Sequence, residues 1–154
     1  MGFEIEEVRD LNEAWAEIEP LLRGIVEYHE PLDGRSLRAD WIKRWRDFLT
    51  TRPDGIFLLA RPEGGRAVAF LDGSVIKDRG IFDEAAGYID DAFVAADYRS
   101  SGVGSALLSH FEAWSRSAGA TLIRLDVVAA NELGRGFWSG SGFEVERYTM
   151  RKAL

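Results

Sequence analysis

Residues 94–106 read Val94-Ala95-Ala96-Asp97-Tyr98-Arg99-Ser100-Ser101-Gly102-Val103-Gly104-Ser105-Ala106. An apolar strand, Gly87 to Ala95, runs into this stretch, and a helical pattern reaching about Ala118 runs out of it. Glycines at a strand-to-helix turn let backbone N–H groups converge on one point with no Cβ in the way. The helix N-terminus behind them adds unpaired donors and the positive end of its dipole. That combination suits phosphate. Arg99 can close on such an anion as a planar fork.

The spacing narrows the choice of phosphate ligand. A dinucleotide turn needs Gly-x-Gly-x-x-Gly directly after its strand, but here the third position is Leu107 and the polar residues Asp97 to Ser100 intervene. A P-loop needs Gly-Lys-Ser/Thr after the turn, which this chain lacks. Arg99-x-x-Gly102-x-Gly104 instead resembles the acyl-CoA pyrophosphate loop of the GNAT superfamily of N-acetyltransferases. Downstream, Val103, Leu107, Phe111, Trp114 and Ala118 repeat on one helical face, and Gly119 is placed to end the helix. A β-rich run from Thr121 to Val128 follows. Then come Asn131, the pair Phe137-Trp138, and Ser141-Gly142-Phe143, an order that resembles the C-terminal signature of the same superfamily.

The remaining chain reads as an α/β (α+β) protein. Phe3 to Val8 alternates as a strand. Asn12 to about Tyr28 is helical, with Pro20 kinking or dividing it, and Pro31-Leu-Asp-Gly is a turn. Ser36 is placed to cap a second helix carrying Trp41, Ile42, Trp45, Phe48 and Leu49. The i, i+4, i+7 spacing of Trp41, Trp45 and Phe48 points to a core face before an acceptor pocket. Arg35, Arg38, Arg44 and Arg46 read as a solvated face. Ile56 to Ala60 and Ala67 to Ser74 form strands around the Pro62-Glu-Gly-Gly turn, and Lys77 to Glu84 is a loop. After the Asn131 helix, Phe143 to Arg151 forms a last strand or hairpin. The resemblance implies one domain over residues 1–154. Its sheet is central, mixed, mostly antiparallel and twisted, flanked by helices, and splayed at the strand before the loop.

Composition excludes several function classes. With no cysteine in 154 residues, disulfides, thiol catalysis and cysteine metal sites are ruled out. His29 and His110 have no ligand-type spacing, so no metal is expected. A net charge of −7 argues against nucleic acid as a partner and suits a cationic one. No apolar run reaches transmembrane length, and acids stand where a signal peptide would be basic, so the expected setting is cytoplasmic, away from membranes.

What acetyl transfer requires directs attention to particular residues. An alkyl ammonium, with a pKa of ~10, must lose a proton before it attacks; a carboxylate can take that proton through water and draw the cation in. By resemblance the cosubstrate is acetyl-CoA and the acceptor a small-molecule primary amine, polyamine-like or amino-acid-like. Phe93, Val94 and Ala95 would meet the pantetheine arm and thioester. Arg99, Ser100, Ser101, Gly102, Val103, Gly104 and Ser105 would hold the pyrophosphate. Asn131 would steady the cofactor, with Phe137 and Trp138 beside it. Tyr88-Ile-Asp90-Asp91-Ala-Phe-Val94 is similar to a segment of small-amine acetyltransferases, which marks Asp90 as water-relayed base or ammonium anchor and Asp91 as a substrate contact. Alternatively, one or both acids cap a loop or pair with an arginine.

Trp138 stands where the family commonly has a tyrosine that protonates the departing thiolate. An indole N–H donates a hydrogen bond but is no practical proton source, so packing is its plainer role and Tyr148 becomes a candidate acid. Tyr28 and His29, at the end of the first helix, fall where superfamily members build the acceptor pocket. Two other readings stay open: a noncatalytic acyl-CoA-binding or sensing module, and a protein N-terminal acetyltransferase. The resemblance is compatible with a homodimer, which no residue specifies.

Overall fold

The computed structural model describes residues 2–77, 80 and 82–154. The elements run β1 (Phe3–Glu7), α1 (Trp15–Asp33), α2 (Trp41–Thr51), β2 (Ile56–Pro62), β3 (Ala69–Lys77), β4 (Ala85–Val94), a 3-10 turn (Ala96–Tyr98), α3 (Val103–Ser117), β5 (Leu122–Leu125) and α4 (Glu132–Gly140). The strands lie in sequence order in one sheet. Pairing is antiparallel from β1 to β4 and parallel between β4 and β5, so the sheet is mixed and mostly antiparallel, as expected. Among the described residues no helix is long and apolar enough to cross a membrane.

Alternation along β2 and β3 builds two cores. Phe57, Leu59 and Phe70 turn to one face and pack with Ile18, Leu22 and Ile25 of α1 and Leu49 of α2. Leu58, Ala60 and Leu71 turn to the other and meet Val103, Leu107 and Phe111 of α3. Both faces are covered, which is why β2 reads as an unbroken apolar run.

Two irregularities in β4 open one edge of the sheet. Against β3, Asp72 pairs with Asp91 and Gly73 with Ile89, so Asp90 is an extra residue, a bulge. Against β5, pairing stops at Ile89 and Leu125. From Asp90 to Val94 the β5-side edge of β4 has no strand on it. This is the expected splay, reached by ending β5 early and bulging β4 at the same point.

Several local expectations need correction. Pro31-Leu-Asp-Gly is not a turn: α1 continues to Asp33 and ends at Gly34, where the N–H bonds to Glu30 O. Ser36 caps nothing; Asp40 precedes α2 and is held by Arg38 and Arg44. Phe48 is exposed, because α2 buries only Leu49 fully. Ala118 lies beyond the end of α3 and is exposed, and Ser115 takes the buried position instead. Phe143 to Arg151 forms no strand. Of its apolar residues only Phe143 packs on the core, Val145 and Met150 stay open to solvent, and the four residues of β5 offer too short an edge for a hairpin. The Lys77–Glu84 loop falls partly outside the described residues, although Lys77 itself ends β3.

Gly73 sits where β3 crosses under α3. A Cβ there would press on the Tyr88 carbonyl and come within 2.8 Å of the Phe111 ring. Gly73→Ala is expected to lower the unfolding free energy by about 1–3 kcal/mol, seen as a lower urea midpoint with an unchanged slope.

Candidate functional site

The loop between β4 and α3 is built for an anion. Ser100, with φ 60, is the one non-glycine residue among those described with a left-handed backbone, and Gly102 follows with φ 88. Such strain gathers at functional sites. The first helical bond runs from Ala106 N to Gly102 O at 3.0 Å, so the amides of Val103, Gly104 and Ser105 have no helical partner. No side chain caps them, and the first turn holds no acid. Gly104 packs closely: a Cβ there would lie 3.2 Å from the Phe137 ring, which sets α4 against the start of α3. Arg99 does not reach out from the loop. Its Nε donates to Val94 O at 3.3 Å, and its guanidinium lies 5.0 Å from the centre of the Tyr28 ring.

The released edge of β4 carries the backbone groups. Ala95 N–H bonds to Val68 O at 2.9 Å, so it points toward β3. Peptide directions alternate along a strand, which turns Phe93 toward β3 as well and leaves the Val94 N–H and C=O facing the opening. The side chains of Phe93 and Val94 go to opposite cores.

Across the opening, α1 meets α4. Tyr28 Oη donates to Asn131 Oδ1 at 2.9 Å, and Gly134 N–H donates to the same oxygen at 2.9 Å, capping α4. Asn131 Nδ2 lies 3.3 Å from His29 Nε2. Burial holds His29 below its ordinary pKa against the opposing pull of Asp33, so its ring is neutral near pH 7 and Nε2 can accept. Tyr28, His29, Arg99 and Asn131, predicted separately, are thus brought together. Trp138 stacks edge-on between Phe137 and Phe143 at 4.8 and 5.3 Å, a packing role.

Asp90 and Asp91 meet two residues that the sequence reading passed over. Asp72 of β3 is fully buried. Arg52, just past α2, places Nη1 2.6 Å from Asp90 Oδ2 and 3.3 Å from Asp72 Oδ2. Burial raises all three carboxyls, first among the causes in each case. Asp91 is pushed to about 6 by burial and by the Asp90 charge, with Arg52 opposing. Asp72 is pushed well up by burial and by Asp91, also against Arg52. The arginine-pair alternative therefore holds for Asp90. Beside the splay sits an acidic cluster around one guanidinium, chemically able to hold a cation and accept a proton. A lone acid inside Phe70-Leu71-Asp72-Gly73, an apolar run, was the available signal for Asp72.

One predicted site residue lies apart from the rest. Tyr148 is 86% exposed on the C-terminal segment, with no hydrogen bond among the described residues. His110 is exposed on α3. Among the described residues no group of His, Asp and Glu has a metal-binding arrangement.

The sequence model of the acetyltransferase (GNAT) family matches residues 11–143. An aminoglycoside N(6')-acetyltransferase type 1 from Acinetobacter genomosp. 13 is 26% identical over 129 residues, covering 73% of this chain and 88% of that protein. The structure is similar to that of a tetramutant of the BH1408 protein from Bacillus halodurans, with a TM-score of 0.83 at 20% identity over 98% of this chain and 99% of that one. It is also similar to aminoglycoside N-acetyltransferase AAC(6')-Iy in complex with CoA, with a TM-score of 0.72 at 16% identity over 98% and 99% of the two chains.

The Asp91 shift has a thermodynamic sign. The folded protein keeps this proton up to a pH of about 6, whereas the free side chain releases it near 3.8. Folding therefore loses stability as pH rises between those values. Asp91→Asn is expected to be more stable than the wild type by about 3 kcal/mol above pH ~7, with the difference vanishing below pH ~4, as measured by urea unfolding across that range.

Proposed function

The chain belongs to the acetyltransferase (GNAT) family, and we propose that it transfers an acetyl group from acetyl-CoA to a primary amine of a small cationic molecule. The observation that carries this reading is the coincidence of an uncapped helix N-terminus, a released strand edge and an acidic pocket along one opening. A single domain over residues 1–154 would perform the whole reaction.

The residues fit an acyl-CoA ligand. The free amides of Val103, Gly104 and Ser105 suit a pyrophosphate, and Arg99 can swing from Tyr28 onto it. Phe137 and Trp138 line the arm, with Asn131 at its mouth. When bound, acetyl-CoA supplies the acetyl thioester. The Val94 N–H points where a thioester carbonyl would need polarising. Asp90 anchors the acceptor ammonium, and Asp91 takes its proton through water. The amine nitrogen then bonds to the acetyl carbon as the carbon–sulfur bond breaks, the nitrogen gives up its second proton to water, and the departing thiolate takes a proton from solvent.

A polyamine or aminoglycoside is the acceptor class favoured. Asp90 and Asp91 against one arginine leave negative charge for a further ammonium group, and the Acinetobacter relative is named for an aminoglycoside substrate.

Calorimetry with acetyl-CoA is expected to show micromolar binding that Arg99→Glu weakens by at least ~10-fold, as loss of a charge-assisted contact requires. Thiol release with spermidine or kanamycin should follow. Asp90→Asn should cut kcat/KM for the amine by about 10–100-fold while acetyl-CoA affinity holds. Binding without thiol release from any amine would favour the noncatalytic acyl-CoA module, for which Trp138 in place of tyrosine speaks. No binding by folded protein would remove the reading altogether.

A further inference from the structure

Arg52 serves two carboxylates with one nitrogen and leaves a third valence unmet. Nη1 contacts Asp90 Oδ2 closely and Asp72 Oδ2 at the longer 3.3 Å. Asp72 Oδ1 is buried and has no hydrogen-bond partner among the described residues, a costly state for a polar atom. The guanidinium is confined. It lies 5.7 Å from the centre of the Phe48 ring, and Nη2 donates to Ile56 O at 3.4 Å. It also passes so close to Gly55 that a Cβ there would stand 2.6 Å from its central carbon. Arg52 keeps 13% of its side chain exposed and Asp72 none, whereas Asp90 keeps 31%. A ligand can reach Asp90 but not the other two.

We propose that Arg52 is an internal stand-in for the acceptor ammonium: it holds Asp90 in the free protein and moves onto both oxygens of Asp72 when the ammonium arrives. This rests on the reading of Asp90 as ammonium anchor. The exchange keeps every charge partnered. The ammonium takes Asp90, and the guanidinium gains a two-pronged contact that satisfies the orphaned Oδ1. Without Asp72, Arg52 would simply compete with the acceptor. A neutral molecule brings no charge to replace the guanidinium on Asp90, so the device favours cations. Asp72 and Arg52 are positioning residues here, since neither needs to touch the acceptor.

A crystal structure of Asp90→Asn tests the exchange without any ligand. Arg52 is expected within hydrogen-bond distance of both Asp72 oxygens; an Arg52 still on one oxygen, or turned to solvent, overturns the proposal. Spermidine kinetics give the second arm. Asp72→Asn should raise the KM for spermidine about 10-fold with kcat and acetyl-CoA affinity unchanged, and adding Arg52→Gln should restore it. A double variant as poor as the sum of its parts, with lowered melting temperature, would mark a merely structural pair and sink the idea. Should Asp72→Asn fail to fold, Arg52→Gln alone should lower the spermidine KM, and a raised value counts against the exchange. A wild type that binds acetyl-CoA but acetylates no amine would fault the acceptor reading, and the position of Arg52 in Asp90→Asn would still decide the exchange.

Discussion

The parting of β4 from β5 is the constraint on which the rest of the molecule depends. A strand paired on both sides leaves no backbone group free, and here the pairing of β4 with β5 stops at Ile89 and Leu125. The bulge at Asp90 falls on the next residue. One discontinuity therefore does three things: it bares the Val94 peptide, aims the chain into the loop ahead of α3, and brings Asp90 round to the side of Asp91. None of these would survive a regular ladder, because a strand without the bulge sends successive side chains to opposite faces.

The charge placed at that point is costly and is managed unevenly. Surface pairs such as Arg23–Glu19 and Lys43–Asp47 sit in water and contribute little. Arg52, Asp72 and Asp91 are largely withdrawn from it, with Asp90 at the edge, and a buried ion pair gains little net stability over apolar packing. Stability does not explain why the chain keeps three acids around Arg52. A cluster that raises carboxyl pKa values around one cation is what the proposed proton acceptance from an amine asks for.

The local parts of this fold were legible in the sequence. The strand, glycine turn and helix around Gly102 are contiguous, and each signal lies within a few residues of the group it positions. The apolar alternation of β2 and β3 and the stripe Val103, Leu107 and Phe111 are equally local. What escaped was pairing between distant segments. Asp72 meets Arg52 only because the register of β3 sets it beside the end of α2, and Tyr28 meets Asn131 across 103 residues. The C-terminal alternation misled for the opposite reason: its pattern suits a strand, but the neighbouring edge is too short to pair with it. Phe48 misled similarly, since helical spacing tells which residues share a face but not how far the core reaches.

Asn131 has a consequence for the chemistry of the opening. Its Oδ1 already accepts from both Gly134 and Tyr28, which fills both lone pairs and fixes which way the amide points. Nothing entering between α1 and α4 can find an acceptor there. It meets an N–H instead, one of the two on Nδ2, the other being directed at His29. The Asn131 amide is thus polarised in one sense: it greets carbonyl oxygens and gives an ammonium group nothing to bind. The carboxylates that would hold such a group belong to another wall of the opening. On the proposed reading, a ligand rich in carbonyl oxygens and a cationic one would find their partners on different walls.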